Sequence, residues 1–214
     1  MRFRPFRTLR AVRAARTLHS ASRLSPLALA ASLAVAGLSV TLTGCGPRWV
    51  ILAQARPDPL VGAGSFYIEP IHYDPPRIGE KTEGEYLADK TPDQKDSWLT
   101  DKSDTSNRYI GTLIAELPEV KFLVQPAPGV FIIRPIVSFI EPGFYAYVAA
   151  APTQVKMRIE ILSSDGAVID DIMVPSVIGA SMVNASSGSR LRLAGQDLAR
   201  VTAQYLRKRI VPGT

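Results

Sequence analysis

The 214-residue chain predicts an α+β fold: a mainly antiparallel sheet with helices packed on one face, after an N-terminal signal segment. Three observations predict it. Val155, Met157, Ile159 and Ile161 alternate with Lys156, Arg158 and Glu160, which is the period of a strand with one buried face. Ser164-Asp165-Gly166 then supplies a tight turn that can send Ala167 to Val174 back as an antiparallel partner. Finally, two stretches carry apolar stripes at helical spacing, about Thr105 to Leu117 and from near Ser189 onward.

In chain order, residues 1–44 read as the signal segment, 45–63 as a short tether and 64–214 as one α+β domain, a length sufficient to bury a core. Gly64 to His72 predicts a first core strand, stopped by Asp74-Pro75-Pro76. Between Glu80 and Asp104 eight acids face four lysines, so the first half of that stretch reads as a surface loop. Thr91-Pro92-Asp93-Gln94 has the residues of a capping box with proline at the first helical position, opening a short helix docked by Trp98 and Leu99. The second helix presents Tyr109, Leu113 and Leu117 on one stripe and ends before Pro118.

Lys121 to Val124 predicts a short strand and Gly129 to Ile140 a longer one, in which Pro135 argues for a sheet edge or a bulge. Ser176 to Ser189, rich in Ser, Ala and Gly, reads as a loop or poorly paired extension. The last helix buries Leu191, Ala194, Leu198, Val201, Tyr205 and Leu206, with Arg190, Arg192, Arg200, Arg207, Lys208 and Arg209 elsewhere around it.

The formal net charge of +6 comes from the N-terminus. Residues 1–44 hold seven of the 25 basic side chains and no acid, leaving 18 basic against 19 acidic groups. A chain near −1 after residue 44 lacks the spread positive field that tracks phosphates, so no nucleic-acid partner is expected. One cysteine excludes an intrachain disulfide.

An acid-free basic stretch, Arg2 to Arg23, precedes the apolar run Leu27 to Leu42, the order of an export signal. No two arginines are adjacent, which favours the general secretion route over the twin-arginine one. Leu42-Thr43-Gly44-Cys45 then closes the run and resembles a bacterial lipobox. The resemblance implies a diacylglyceryl group on the Cys45 thiol, cleavage between Gly44 and Cys45, and acylation (palmitate or a similar chain) of the new amine. One acyl chain holds a protein only marginally, whereas two or three hold it firmly. The alternative is an uncleaved anchor with an unmodified Cys45. The crowded N-terminal arginines would place residues after 45 outside the cytoplasm in that case too. Gly46, in place of an aspartate, is compatible by family analogy with transfer to the outer membrane.

From about Gly64 to Ile210 the order of elements resembles uncharacterised proteobacterial envelope lipoproteins with an anticodon-binding-like domain, similar to the TolB N-terminal domain. Phe139-Ile-Glu-Pro-Gly143, the Val155 to Gly166 hairpin and Ala194-Gly-Gln-Asp-Leu-Ala-Arg200 carry that resemblance. It implies no catalytic motif.

Read for chemistry, the chain after residue 44 has one histidine, His72. On a strand it shares a face with Asp74, and Glu69 is near, an acid and a base that could work together, although a strand-end surface histidine needs no such role. No metal set or cofactor site is expected, because one histidine and an acylated cysteine make no ligand cluster. Gly62-Ala63-Gly64 precedes a strand instead of opening a helix, the wrong context for a phosphate turn. There is no Gly-x-Ser-x-Gly nucleophile elbow. The span 190–209, with six basic residues and one acid, could meet an anionic surface or simply complement a helix dipole.

The expectation is therefore no enzyme but a cell-envelope lipoprotein, anchored in membrane lipid through acylated Cys45 on the periplasmic side of the outer membrane. It would bind or scaffold an envelope protein partner, with a sheet edge near Pro135 offering a place for a partner strand. Two alternatives stay open: a structural subunit of an oligomeric envelope or secretion assembly, and an envelope enzyme using His72 with nearby carboxylates.

Overall fold

The computed structural model describes residues 46–211. The lipobox residues Leu42, Thr43, Gly44 and Cys45, and the rest of the signal segment, lie outside the described residues. The described part is α+β, built on an eight-stranded mixed sheet.

Four long or well-paired strands form its antiparallel half: β1 (Val50–Gln54), β10 (Val168–Ile178), β9 (Thr153–Leu162) and β6 (Phe131–Glu141), adjacent in that order. The other half is parallel: β2 (Ser65–Ile68) lies between β6 and β5 (Lys121–Leu123). Most of the pairing is antiparallel, as expected, and the reason for the parallel side is the connection. Between β2 and β5 the chain runs through helices α1 (Glu83–Ala88) and α2 (Pro92–Glu116), and a helical crossover returns the chain parallel. A small hairpin, β3 (Arg77–Ile78) with β4 (Lys81–Thr82), joins β6 beyond β2, and β7 (Phe144–Ala146) pairs with β8 (Ala149–Ala151) apart from the main sheet.

The β9–β10 hairpin forms where the alternation places it. Val155, Met157, Ile159 and Ile161 are buried, Lys156 is exposed, and Gly166 takes φ 88° in the turn. The closing helix α3 (Ser187–Ile210) packs on β9 and β10 and against α2, burying all six residues of the expected stripe. Phe66, Leu113, Ile133, Val137, Ile172 and Val174 complete the same core.

Six expectations are corrected. Val50–Gln54, within the stretch read as a tether, is a strand of the main sheet, hydrogen-bonded to β10. The loop read before Thr91 contains α1, opened by a Thr82/Glu85 capping box. The two helices expected from Thr91 and Thr105 are one 25-residue helix. The polar residues between them lie at a helix contact: Thr105 and Ser106 are buried, and the Ile71 amide donates to Ser106 Oγ at 2.9 Å. Leu99 is exposed where docking was expected, while Trp98 is buried.

The fifth correction concerns Pro135, which lies in the interior strand β6 and not at an edge. Ile133 O, Pro135 O and Val137 N all bond toward the chain between Glu69 and His72, so the proline nitrogen faces that side. There β2 has already ended at Ile68, and His72 makes only an isolated bridge to Ile136. A strand residue without an N–H is tolerated because no regular ladder runs past it. The sixth is Arg190, read as lying off the buried stripe of α3, which is 1% exposed.

Candidate functional site

Two surfaces gather the residues with chemical potential. The first is the face of the sheet opposite α3, where ionic groups form a chain from the segment after β2 across three strands, β6, β9 and β10. His72 Nε2 lies 2.8 Å from Glu69 Oε2, which also accepts from Arg134 Nε at 2.7 Å. Arg134 donates a second bond to Glu69 Oε1 at 3.0 Å and approaches Glu160 at 3.8 Å. Glu160 is 3.0 Å from Arg158, whose guanidinium bonds Asp171 at 2.6 Å. The carboxylates sit low, 8–16% exposed, and the two guanidinium groups stand above them at 37% and 41%.

The structure therefore brings His72 to Glu69 rather than to Asp74. His72 is half-exposed, on the rim of an open depression that Tyr73, Asp74, Arg134 and Ile136 also line. The Arg134 hydrogen bonds hold Glu69 below the ordinary carboxylate range, against the opposing effect of its partial burial, and His72 adds to the lowering. A carboxylate so stabilised is a weak proton acceptor, but it fixes the orientation of the imidazole.

The second surface surrounds the first described residues. Gly46, Pro47, Arg48 and Trp49 border an open groove of about 500 Å³ whose other wall is Gln204, Arg207 and Lys208 near the end of α3. Arg48 is anchored by two bonds to Asp197, of 2.9 and 2.5 Å, and Ser176 Oγ donates to the same carboxylate at 2.7 Å. Burial works against ionisation of Asp197, and the Arg48 and Ser176 bonds outweigh it, leaving its pKa below the ordinary value. Trp49 packs edge-on against Tyr205 at 5.6 Å, with the Lys208 ammonium 5.1 Å from its ring centroid.

The basic end of α3 is less bare than its sequence implies. Arg192 pairs with Asp101, Arg200 with Glu116, Arg207 with Glu119, and Arg209 with Asp58 and Asp170. Acids from α2, β10 and the loop after β1 thus neutralise most of the local excess. Among the described residues Lys208 sits over a ring and not beside a carboxylate.

No family model matches the chain, and no curated protein matches it. Three solved structures show a distant likeness. The PelC dodecamer from Paraburkholderia phytofirmans is 10% identical, with TM-score 0.38, over 72% of this chain and 96% of that one. The hypothetical protein CT253 from Chlamydia trachomatis is 10% identical, with TM-score 0.41, over 68% and 96%. A minor lipoprotein from Acinetobacter baumannii is 11% identical, with TM-score 0.35, over 67% and 90%. At these identities and scores none of the three bears on what this chain does.

Cys45 and its lipobox neighbours fall outside the described residues; Gly46, which borders the groove, follows Cys45 in the chain. Among the described residues no helix is long and apolar enough to cross a membrane, and no group of three or more His, Cys, Asp or Glu side chains is gathered to hold a metal. Sequence reasoning singled out His72 with Glu69 and the basic end of α3 but missed the partners that complete each surface, which lie more than sixty positions away. The one available signal was Trp49 to Ala53, too apolar for a solvated tether.

Proposed function

We propose that this chain is a lipoprotein of the bacterial cell envelope, cut between Gly44 and Cys45 and held by acyl chains on Cys45. Its folded domain serves a non-catalytic binding or scaffolding role at the periplasmic side of the outer membrane. The observation that carries the reading is the start of the fold. β1 begins at Val50, five residues after Cys45, and is bonded into the main sheet. Acyl chains at Cys45 would therefore hold the domain itself against the bilayer, with almost no slack for it to sample the surroundings.

A binding role is further supported by the wet sheet face, where Arg134 and Arg158 stand above paired carboxylates as preorganised donors for an acidic patch on a partner. Glu69, engaged by Arg134, is poorly placed to act as a base with His72. The test is a Cys45→Ser substitution followed by alkynyl-palmitate labelling and membrane fractionation in cells. Native protein should carry label and sediment with outer membrane; the variant should lose label and remain unprocessed. Equal labelling or processing of the two would overturn the anchor. Crosslinking in intact cells at the Arg134/Arg158 face should return one recurrent envelope protein, and loss of that product in an Arg134→Glu, Arg158→Glu variant would place the contact.

A further inference from the structure

We infer that the groove between residues 46–49 and the last turns of α3 is a seat for the phosphate headgroups of an anionic phospholipid leaflet, with the side chains of β1 as an apolar skirt beside it. This rests on the anchored reading above, and its argument is geometric. Trp49 follows Cys45 by four residue steps, and a fully extended chain advances at most about 3.6 Å per residue, so Trp49 lies within about 14 Å of the anchored cysteine. That distance leaves the groove within the headgroup region or directly upon it.

The chemistry of the surface matches that location. Val50, Ile51 and Leu52 are 60%, 49% and 52% exposed, three consecutive apolar side chains on the outermost strand of the sheet. In water such an edge is a liability. Against lipid it is an asset. The groove wall supplies Arg48, Arg207 and Lys208 and no acid of its own, and Lys208 lies over the indole of Trp49. An amphipathic ring beside a long-stemmed cation is the pairing suited to an interface, ring toward the glycerol level and ammonium toward phosphate. Arg48 and Arg207 are each held by a carboxylate, Asp197 and Glu119, yet both stay partly exposed, at 54% and 42%, with donors left for a phosphate oxygen.

The experiment uses the acylated protein purified in detergent and reconstituted on vesicles, after mass measurement has confirmed the acyl chains; a missing acyl mass would sink the anchored reading instead. In a Trp98→Phe background Trp49 is the tryptophan whose fluorescence is read. On vesicles of brominated phosphatidylglycerol its emission should be quenched at least about threefold more than on brominated phosphatidylcholine. Lys208→Glu should remove that difference, and Leu52→Glu should reduce quenching on both lipids, with circular dichroism unchanged. Either of two results on vesicles would overturn the inference: a Trp49 as accessible to aqueous iodide as in detergent, or equal quenching with and without Lys208. A sedimenting dimer in detergent that already shields Trp49 would likewise overturn it, assigning the surface to a second copy.

Discussion

Arg190 Nε donates to Thr153 Oγ1 at 2.8 Å, and both side chains are withdrawn from solvent, at 1% and 0% exposure. The Thr153 hydroxyl in turn donates to Pro142 O, which also accepts from Arg190 Nη2, while Nη1 donates to the carbonyls of Asn184 and Ala185. One guanidinium therefore ties the start of β9 to the turn before α3 and satisfies three backbone carbonyls. Arg190→Met should cost about 2–3 kcal/mol, because it takes a charged donor from the buried Thr153 Oγ1 and Pro142 O as well as from the part-buried Asn184 O and Ala185 O. Arg190→Lys should recover only part of that, having no planar fork to span the carbonyls. Urea denaturation followed by circular dichroism measures both.

Asp170, fully buried, receives Arg209 Nε at 2.7 Å, Arg209 Nη2 at 3.0 Å and the Tyr205 hydroxyl at 2.6 Å. The Ala55 amide bonds the same carboxylate at 3.2 Å, so the cluster fastens the end of β1 to β10 and α3. Asp170→Asn should destabilise by about 2 kcal/mol, since it leaves a guanidinium that is only 11% exposed with Asp58 as its remaining carboxylate. Tyr205→Phe removes one neutral donor and should cost about 1 kcal/mol. The two losses should sum to more than the double variant shows, and a double-mutant cycle in urea reads the coupling.

How far the sequence could be read follows from the range of each interaction. The β9–β10 hairpin and the buried stripe of α3 depend on periodicity and a tight turn within some twenty residues, and they were legible residue by residue. The parallel half of the sheet was not, because β2 meets β5 only after two helices intervene. Pro135 misled for a physical reason: a missing N–H excludes a strand interior only where a ladder needs it, and here the neighbouring strand stops first. Arg190 misled because local hydropathy cannot register the carbonyls that Pro142, Asn184 and Ala185 turn toward it. The groove was illegible for the same reason, being closed by Lys208 and Trp49, far apart in sequence.

Gly195 sits where α3 meets α2. A Cβ there would lie 2.8 Å from Thr105 O and 3.1 Å from Thr105 Cγ2, so the helices are closer than any larger residue allows. Gly195→Ala gains helix propensity, about 1 kcal/mol. It should nevertheless be destabilising by about 1–3 kcal/mol, because the backbone carbonyl must move and carry α2 with it. The same change at Gly166, in the hairpin turn with open space around it, should cost about 1–2 kcal/mol through its φ of 88° alone. Thermal melts of the two variants separate crowding from backbone strain. A Thr105→Ser change, which removes the nearby methyl, should relieve part of the loss at Gly195 and none at Gly166.

The Glu69–Arg134 pair sets a pH dependence with a definite sign. Hydrogen bonds from Arg134 lower the Glu69 pKa in the folded protein relative to its ordinary 4.5, so the folded state binds this proton less readily than the unfolded chain. Its stabilisation is fully present above 4.5 and is lost as pH falls through the lower folded value. Arg134 is 37% exposed, which screens the pair and limits its contribution at pH 7 to about 1 kcal/mol or less. Glu69→Gln keeps the size and one acceptor but not the charge. Urea midpoints should therefore place the variant below the native protein from pH 5 to 7, and the two curves should converge under more acid conditions. Raising ionic strength at pH 7 should narrow the same gap, since half of the network faces solvent. A constant gap across the whole acid range would mean that Arg134 supports Glu69 through packing instead of charge.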